Sequence, residues 1–69
     1  MKSVHKFYRV DKTRIGFIKF IFEAHEGLAL VSTLNSGDGR IRLSVSPDCL
    51  VEAGRVMDDL KKDIEIHDA

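Results

Sequence analysis

The chain has 69 residues, of which 11 are basic and 11 acidic, so its net charge at pH 7 is zero when the histidines are neutral. This length predicts one domain over residues 1–69. A balanced charge excludes the strong overall field with which basic proteins attract nucleic acid or an anionic membrane. The hydrophobic content of 43% is typical of a folded domain and argues against disorder.

In chain order, the first predicted element is a strand from Val4 to Val10, where aromatic and β-branched residues are frequent. Asp11 is suited to cap a helix from about Lys12 to Glu26, because its carboxylate can accept hydrogen bonds from the first free amides. Gly27 is the expected residue after the helix, since glycine enters the left-handed conformation without steric cost. A second strand is predicted from Leu28 to Leu34.

The second half of the chain predicts a hairpin followed by another helix. Asn35 to Gly39 is a turn, and the alternating residues of Arg40 to Ser46 indicate a strand with one exposed face. A helix then runs from Ser46 to about Lys62, with Gly54 interpreted as a point of close backbone packing. The pattern of Glu65 to His67 allows a short last strand.

This order, β-α-β-β-α with an optional final β, predicts an α+β protein with a ferredoxin-like two-layer sandwich. Right-handed crossover connections place both helices on one face of an antiparallel sheet. The opposite face of the sheet then remains open to solvent or to a partner.

The first helix has more apolar surface than a helix on a sheet can bury. Its apolar residues sweep well over half of the circumference, whereas one buried face needs only slightly more than about 100°. At least one of Phe20 and Phe22 should therefore lack a partner within a monomer. The surplus predicts a homodimer interface, formed by Phe17, Phe20, Phe22 and Ala24. Alternatively, the second helix and the loops cover the flanks, or a dimer uses the sheet face or an edge strand.

A second candidate surface is the open face of the sheet. If Tyr8, Ile41 and Leu43 face the core, the alternation of side chains along each strand places five other residues on the open face, namely His5, Phe7, Arg9, Arg40 and Arg42. Ala29, Val31 and Thr33 of the second strand are expected to join them. Because RNA-binding domains of this shape stack bases on aromatic residues of the central strands, binding of RNA or a nucleotide is the alternative function.

The sequence has no convincing catalytic or metal-binding motif. His5, His25 and His67 do not have the spacing of metal ligands, and no base can be assigned to Cys49, the only cysteine. A single cysteine suits a reducing compartment, and neither a secretory leader nor an apolar stretch of membrane-spanning length is found. These features predict a cytoplasmic protein that is not an enzyme, holds no cofactor or metal and does not enter a membrane.

Three segments of the chain resemble a family of short bacterial proteins classed as a domain of unknown function. These segments are Arg9 to Asp11, Ile18 to Ile21 with Glu23, and Glu26 to Ala29. The resemblance covers nearly the whole chain and implies a free-standing domain, but it transfers no activity.

The order of elements is also similar to that of ACT-type regulatory domains, which bind amino acids or other small effectors at dimer interfaces. Their ligand loop typically reads Asp-x-Pro-Gly, and here the corresponding segment is Asp11-Lys12-Thr13-Arg14, without the Pro-Gly. The surplus apolar surface of the first helix gives the leading hypothesis, a non-enzymatic interaction or regulatory module that acts as a homodimer and binds a small effector or a protein partner.

Overall fold

The computed structural model describes residues 3–69, which form a four-stranded sheet and two α-helices. A short 3₁₀ turn leads into each helix, at Lys12–Arg14 and Pro47–Cys49. The elements are β1 Val4–Val10, α1 Ile15–Ala24, β2 Ala29–Asn35, β3 Arg40–Val45, α2 Leu50–Leu60 and β4 Ile66–Asp68. The optional last strand is therefore present, and within residues 3–69 no helix is long and apolar enough to cross a membrane.

The sheet has the strand order β2-β3-β1-β4, and all neighbouring strands are antiparallel. Each helix connects two parallel strands that are separated by a third strand, which is the split β-α-β arrangement of ferredoxin-like proteins. Residues of both helices join a single core cluster with one face of the sheet. The predicted α+β sandwich with an open sheet face is confirmed.

The end of α1 follows the predicted signal, but its start does not, because Asp11 caps the 3₁₀ turn at Lys12–Arg14 and α1 begins only at Ile15, without a side-chain cap. The Asp11 carboxylate accepts hydrogen bonds from the amide and the hydroxyl of Thr13, at 2.9 and 2.7 Å. At the other end, Glu26 and Gly27 both adopt positive φ angles, of 58° and 75°. Two successive residues in this conformation end the helix before Glu26 and turn the chain towards β2.

The core is formed by alternate residues of the central strands and by one side of each helix. Tyr8 and Val10 of β1 and Ile41, Leu43 and Val45 of β3 are buried, as predicted. The helices contribute Ile15, Ile18 and Phe22 from α1 and Ala53, Met57 and Leu60 from α2.

The predicted orientation of the second strand is wrong. Ala29 pairs with Val45 and Val31 with Leu43, and residues directly opposite each other in a sheet face the same side. Ala29 and Val31 are therefore buried, and Thr33, opposite Ile41, belongs to that face as well. Leu30 is 67% exposed and takes the place on the open face that had been expected for these residues.

Gly54 is not a point of close packing, because a Cβ atom built on it meets nothing within 4 Å. The residue lies in the middle of α2 and faces solvent. We therefore expect Gly54→Ala to stabilise the protein by about 1 kcal/mol, since alanine loses less backbone entropy than glycine in a helix. Urea denaturation followed by circular dichroism would measure the gain, and a loss of stability would contradict the free space around Gly54.

Candidate interaction surfaces

The outer side of α1 carries two exposed phenylalanines. Phe17 is 44% and Phe20 62% exposed, and Ala24 is exposed one turn further along. Positions separated by three and four residues lie on the same side of a helix, so these residues form one surface. We call Phe17, Phe20 and Ala24 the aromatic stripe.

Phe22 does not belong to this surface. It is 0% exposed and lies in the core with Ile15 and Ile18, so its assignment to a dimer interface is wrong. The expectation that at least one of Phe20 and Phe22 lacks a partner within the monomer is confirmed by Phe20. The alternative was that the rest of the protein covers the flanks of the first helix. Ile21 is partly buried against the core in this way, but Phe20 is not.

The open face brings the five predicted residues together on the two central strands. His5 lies opposite Ser44, Phe7 opposite Arg42, and Arg9 opposite Arg40. The remaining strands extend these rows, because Ser32 of β2 pairs with Arg42 and His67 of β4 pairs with Arg9. We call Phe7, Arg9, Arg40 and Arg42 the open-face cluster.

The three arginines of this cluster form one ion pair within the described residues. The Arg40 Nε lies 3.9 Å from a carboxylate oxygen of Asp38, and both side chains are about half exposed. Among the residues that the structure describes, neither Arg9 nor Arg42 forms an ion pair. The Nε of Arg42 is buried and has no hydrogen-bond partner in the described part of the chain.

Two shallow cavities lie beside the cluster, and Arg9 lines both. One has a volume of about 350 Å³ and is lined by Phe7, Arg9, Leu34, Arg40 and Ala69. The other has a volume of about 420 Å³ and is lined by Arg9, Val10, Asp11, Asp38, Glu65 and His67. In the second cavity, Nε2 of His67 lies 3.0 Å from a carboxylate oxygen of Glu65.

Sequence reasoning missed Leu34 and Ala69 as neighbours of Phe7. The pairing of β2 with β3 shifts between Thr33 and Asn35, which is a β-bulge at Leu34. Ala69 is attached to the cavity because its amide donates to the carbonyl oxygen of Phe7, at 3.1 Å. Neither the bulge nor this bond has a signal in the pattern of apolar residues.

The segment that corresponds to the ACT ligand loop forms the first turn before α1. The side-chain and backbone hydrogen bonds from Thr13 are the main causes that lower the pKa of Asp11, and Arg14 and Lys12 contribute. Asp11 lines the cavity of about 420 Å³, whereas the next three residues form a 3₁₀ turn. The Asp11 carboxylate therefore caps the 3₁₀ turn that leads into α1.

Nucleophilic and metal chemistry has little support in residues 3–69. Cys49 is partly buried against the core. Within the described residues, no group of three or more histidine, cysteine or acidic side chains could hold a metal ion. Burial, followed by the charges of Asp68 and Asp58, raises the pKa of Tyr8 above its ordinary value.

Comparisons with curated proteins and with solved structures gave no match. A family model described as a domain of unknown function, DUF4911, matches residues 8–64. The match extends over α1, β2, β3, α2 and the last three residues of β1, and it confirms the resemblance inferred from the sequence. The chain therefore belongs to the DUF4911 family.

Proposed function

We propose that this protein is a non-enzymatic interaction module that acts as a homodimer through its aromatic stripe. The observation that carries the proposal is the exposure of Phe20, at 62%, beside Phe17 on the same side of α1. Small domains bury a limited fraction of their surface, and association is a common way to cover what remains. The single cysteine and the resemblance to bacterial proteins favour the bacterial cytoplasm as its location.

A two-fold axis would place the aromatic stripe of one protomer against the same stripe of its partner. Phe17 and Phe20 of both protomers would then be buried, so the interface would cover four phenylalanine side chains. Fully burying an exposed phenylalanine contributes roughly 1.5–3 kcal/mol. Ala24 adds little bulk beside Phe20 and so permits a close approach of the two helices.

The strength of this dimer follows from a comparison of two terms. Four half-exposed phenylalanines contribute about 3–6 kcal/mol, which offsets only the lower part of the roughly 4–15 kcal/mol that association costs in translational and rotational entropy, so the surrounding helix surface must contribute as well. We therefore expect a reversible dimer rather than a permanent one. A reversible dimer suits a regulatory module, because a ligand or protein partner that favours one state can shift the equilibrium.

Analytical ultracentrifugation over a range of protein concentrations tests the dimer. We expect the wild type to dimerise and Phe20→Glu to remain monomeric, because the substitution places two like charges in the interface. The helical circular dichroism signal should be unchanged, since the side chain at position 20 lies in solvent.

Val51→Glu is the matched control, because Val51 is 74% exposed on α2, outside the aromatic stripe. This variant should associate like the wild type. A wild type that stays monomeric at the highest concentration, or a Phe20→Glu variant that associates as well as the wild type, would rule out the proposed interface.

A further inference from the structure

We propose that the open face binds a single nucleotide, with the base on Phe7 and the phosphate on Arg9 and Arg40. Three observations lead to this site: two arginines placed directly opposite each other, a third arginine in the neighbouring row, and a cavity that Phe7, Arg9 and Arg40 line together. The proposal does not depend on the dimer, because the aromatic stripe is on the helix layer and the open face is on the other side of the sheet.

The pairing of Arg9 with Arg40 is unfavourable in the free protein. Residues directly opposite each other in an antiparallel sheet have Cβ atoms about 4.5–5.5 Å apart, and like charges in such pairs destabilise the sheet. Asp38 offsets this only in part, because it lies 3.9 Å from Arg40 and both side chains are about half exposed. A phosphate bound between the two guanidinium groups would remove the repulsion and accept hydrogen bonds from both.

Arg42 supplies the second observation. Its Nε is buried and lacks an acceptor among the described residues, although buried donors are nearly always paired. Arg42 lies opposite Phe7 on one side and opposite Ser32 on the other, in the row next to the Arg9–Arg40 pair. Because this nitrogen is buried and Arg42 does not line the cavity beside Phe7, Arg42 adds positive charge next to the site rather than a direct contact with the ligand.

The exposed ring of Phe7 and the volume of the cavity indicate the size of the ligand that the site can hold. Phe7 is 45% exposed, and Leu34 and Ala69 add apolar walls to a cavity of about 350 Å³. This volume is near the lower end of the range for small-molecule sites, about 300–1,000 Å³. A planar base stacked on Phe7 would leave its phosphate within reach of Arg9 and Arg40, which line the same cavity.

Single nucleotides fit these features better than an RNA strand. RNA-binding sheets of this shape stack two or three bases, whereas Phe7 is the one aromatic residue that the described strands place on the open face. Binding of a polyanion also depends on many phosphate contacts, and this chain has no net positive charge. The observations therefore favour a nucleoside phosphate with one base.

Titration with ADP at low ionic strength, followed by ¹H–¹⁵N NMR, tests the site. We expect shifts of the amides of β1 and β3 around Phe7 and Arg40. Removing one charged contact by Arg40→Ala should weaken ADP binding about tenfold or more. Phe7→Leu, which removes stacking but keeps an apolar side chain, should weaken binding about tenfold.

Arg55→Ala is the control, because Arg55 is an exposed arginine on α2. This variant and the monomeric Phe20→Glu should bind ADP like the wild type. The proposal is overturned if ADP causes no shifts, if inorganic phosphate binds as tightly as ADP, or if Arg55→Ala weakens binding as much as Arg40→Ala. Much tighter binding of a short single-stranded RNA than of ADP would also overturn it, in favour of an RNA surface.

Discussion

Gly39→Ala is expected to destabilise the fold by about 3 kcal/mol or more, because it combines backbone strain with a steric clash. Gly39 has a φ of 75°, a conformation that alanine adopts only with strain. A Cβ atom at this position would also collide with the carbonyl oxygen of Val10. The turn cannot withdraw easily, since the Gly39 carbonyl accepts a hydrogen bond from the Val10 amide, at 2.8 Å.

Gly27→Ala separates the two causes. Gly27 also has a φ of 75°, but a Cβ atom there meets nothing within 4 Å. Its substitution should therefore cost only the strain of the left-handed conformation, roughly 1–2 kcal/mol. Urea denaturation of both variants measures the difference, and equal losses of stability would show that the close approach of Gly39 to β1 has no energetic role.

The contact of Gly39 with β1 also bears on the open face. Gly39 lies between Asp38 and Arg40 in the chain. Its carbonyl oxygen accepts a hydrogen bond from the amide of Val10, the residue that follows Arg9. The turn therefore fixes the position of Arg40 relative to Arg9. Gly39→Ala should consequently weaken nucleotide binding even under conditions in which the variant remains folded.

The fold could be predicted from the sequence because strong local signals mark the ends of its elements. Asp11 caps the 3₁₀ turn that leads into α1, Gly27 follows the end of α1, and Pro47 begins the 3₁₀ turn that leads into α2. The strict alternation of β3 fixed which of its residues are buried, and the structure agrees. The alternation failed for β2, because Leu30 and Val31 are both apolar and only the pairing with β3 decides which of them faces the core.

The sequence could show that α1 has too much apolar surface, but not which phenylalanine is in excess. An apolar arc wider than the buried face allows several rotations of the helix about its axis, and each buries a similar number of residues. Packing against β2 and the shared core chooses the rotation that buries Phe22 and exposes Phe20. The predicted excess of apolar surface on α1 was therefore correct, but the assignment of Phe22 to that surface was wrong.

The candidate nucleotide site was predicted only in part. Alternation along β1 and β3 was enough to place Phe7, Arg9, Arg40 and Arg42 on one face. The direct opposition of Arg9 and Arg40 needs the register of the two strands, which the length of a turn does not fix by itself. The cavity wall at Leu34 depends on the orientation of β2, which the sequence analysis predicted wrongly.

Phe22→Ala should be the second strongly destabilising substitution, with a loss of about 3–5 kcal/mol, because it removes a fully buried ring and leaves a cavity. A domain of 69 residues is expected to have a total stability of roughly 3–10 kcal/mol, at about 0.05–0.15 kcal/mol per residue. The variant should therefore be largely unfolded or close to it. Loss of the cooperative urea transition, or a large shift of its midpoint, would measure the effect.

Phe20→Ala is the matched comparison, with the same change made two residues earlier on the same helix. In the monomer its effect should lie within about 0.5 kcal/mol, since the ring is exposed. If the aromatic stripe forms the dimer, Phe20→Ala should lower stability only at protein concentrations at which the wild type dimerises, because association stabilises the folded state by mass action. A loss of stability that is large and independent of concentration would instead place Phe20 in the core and contradict the orientation of α1.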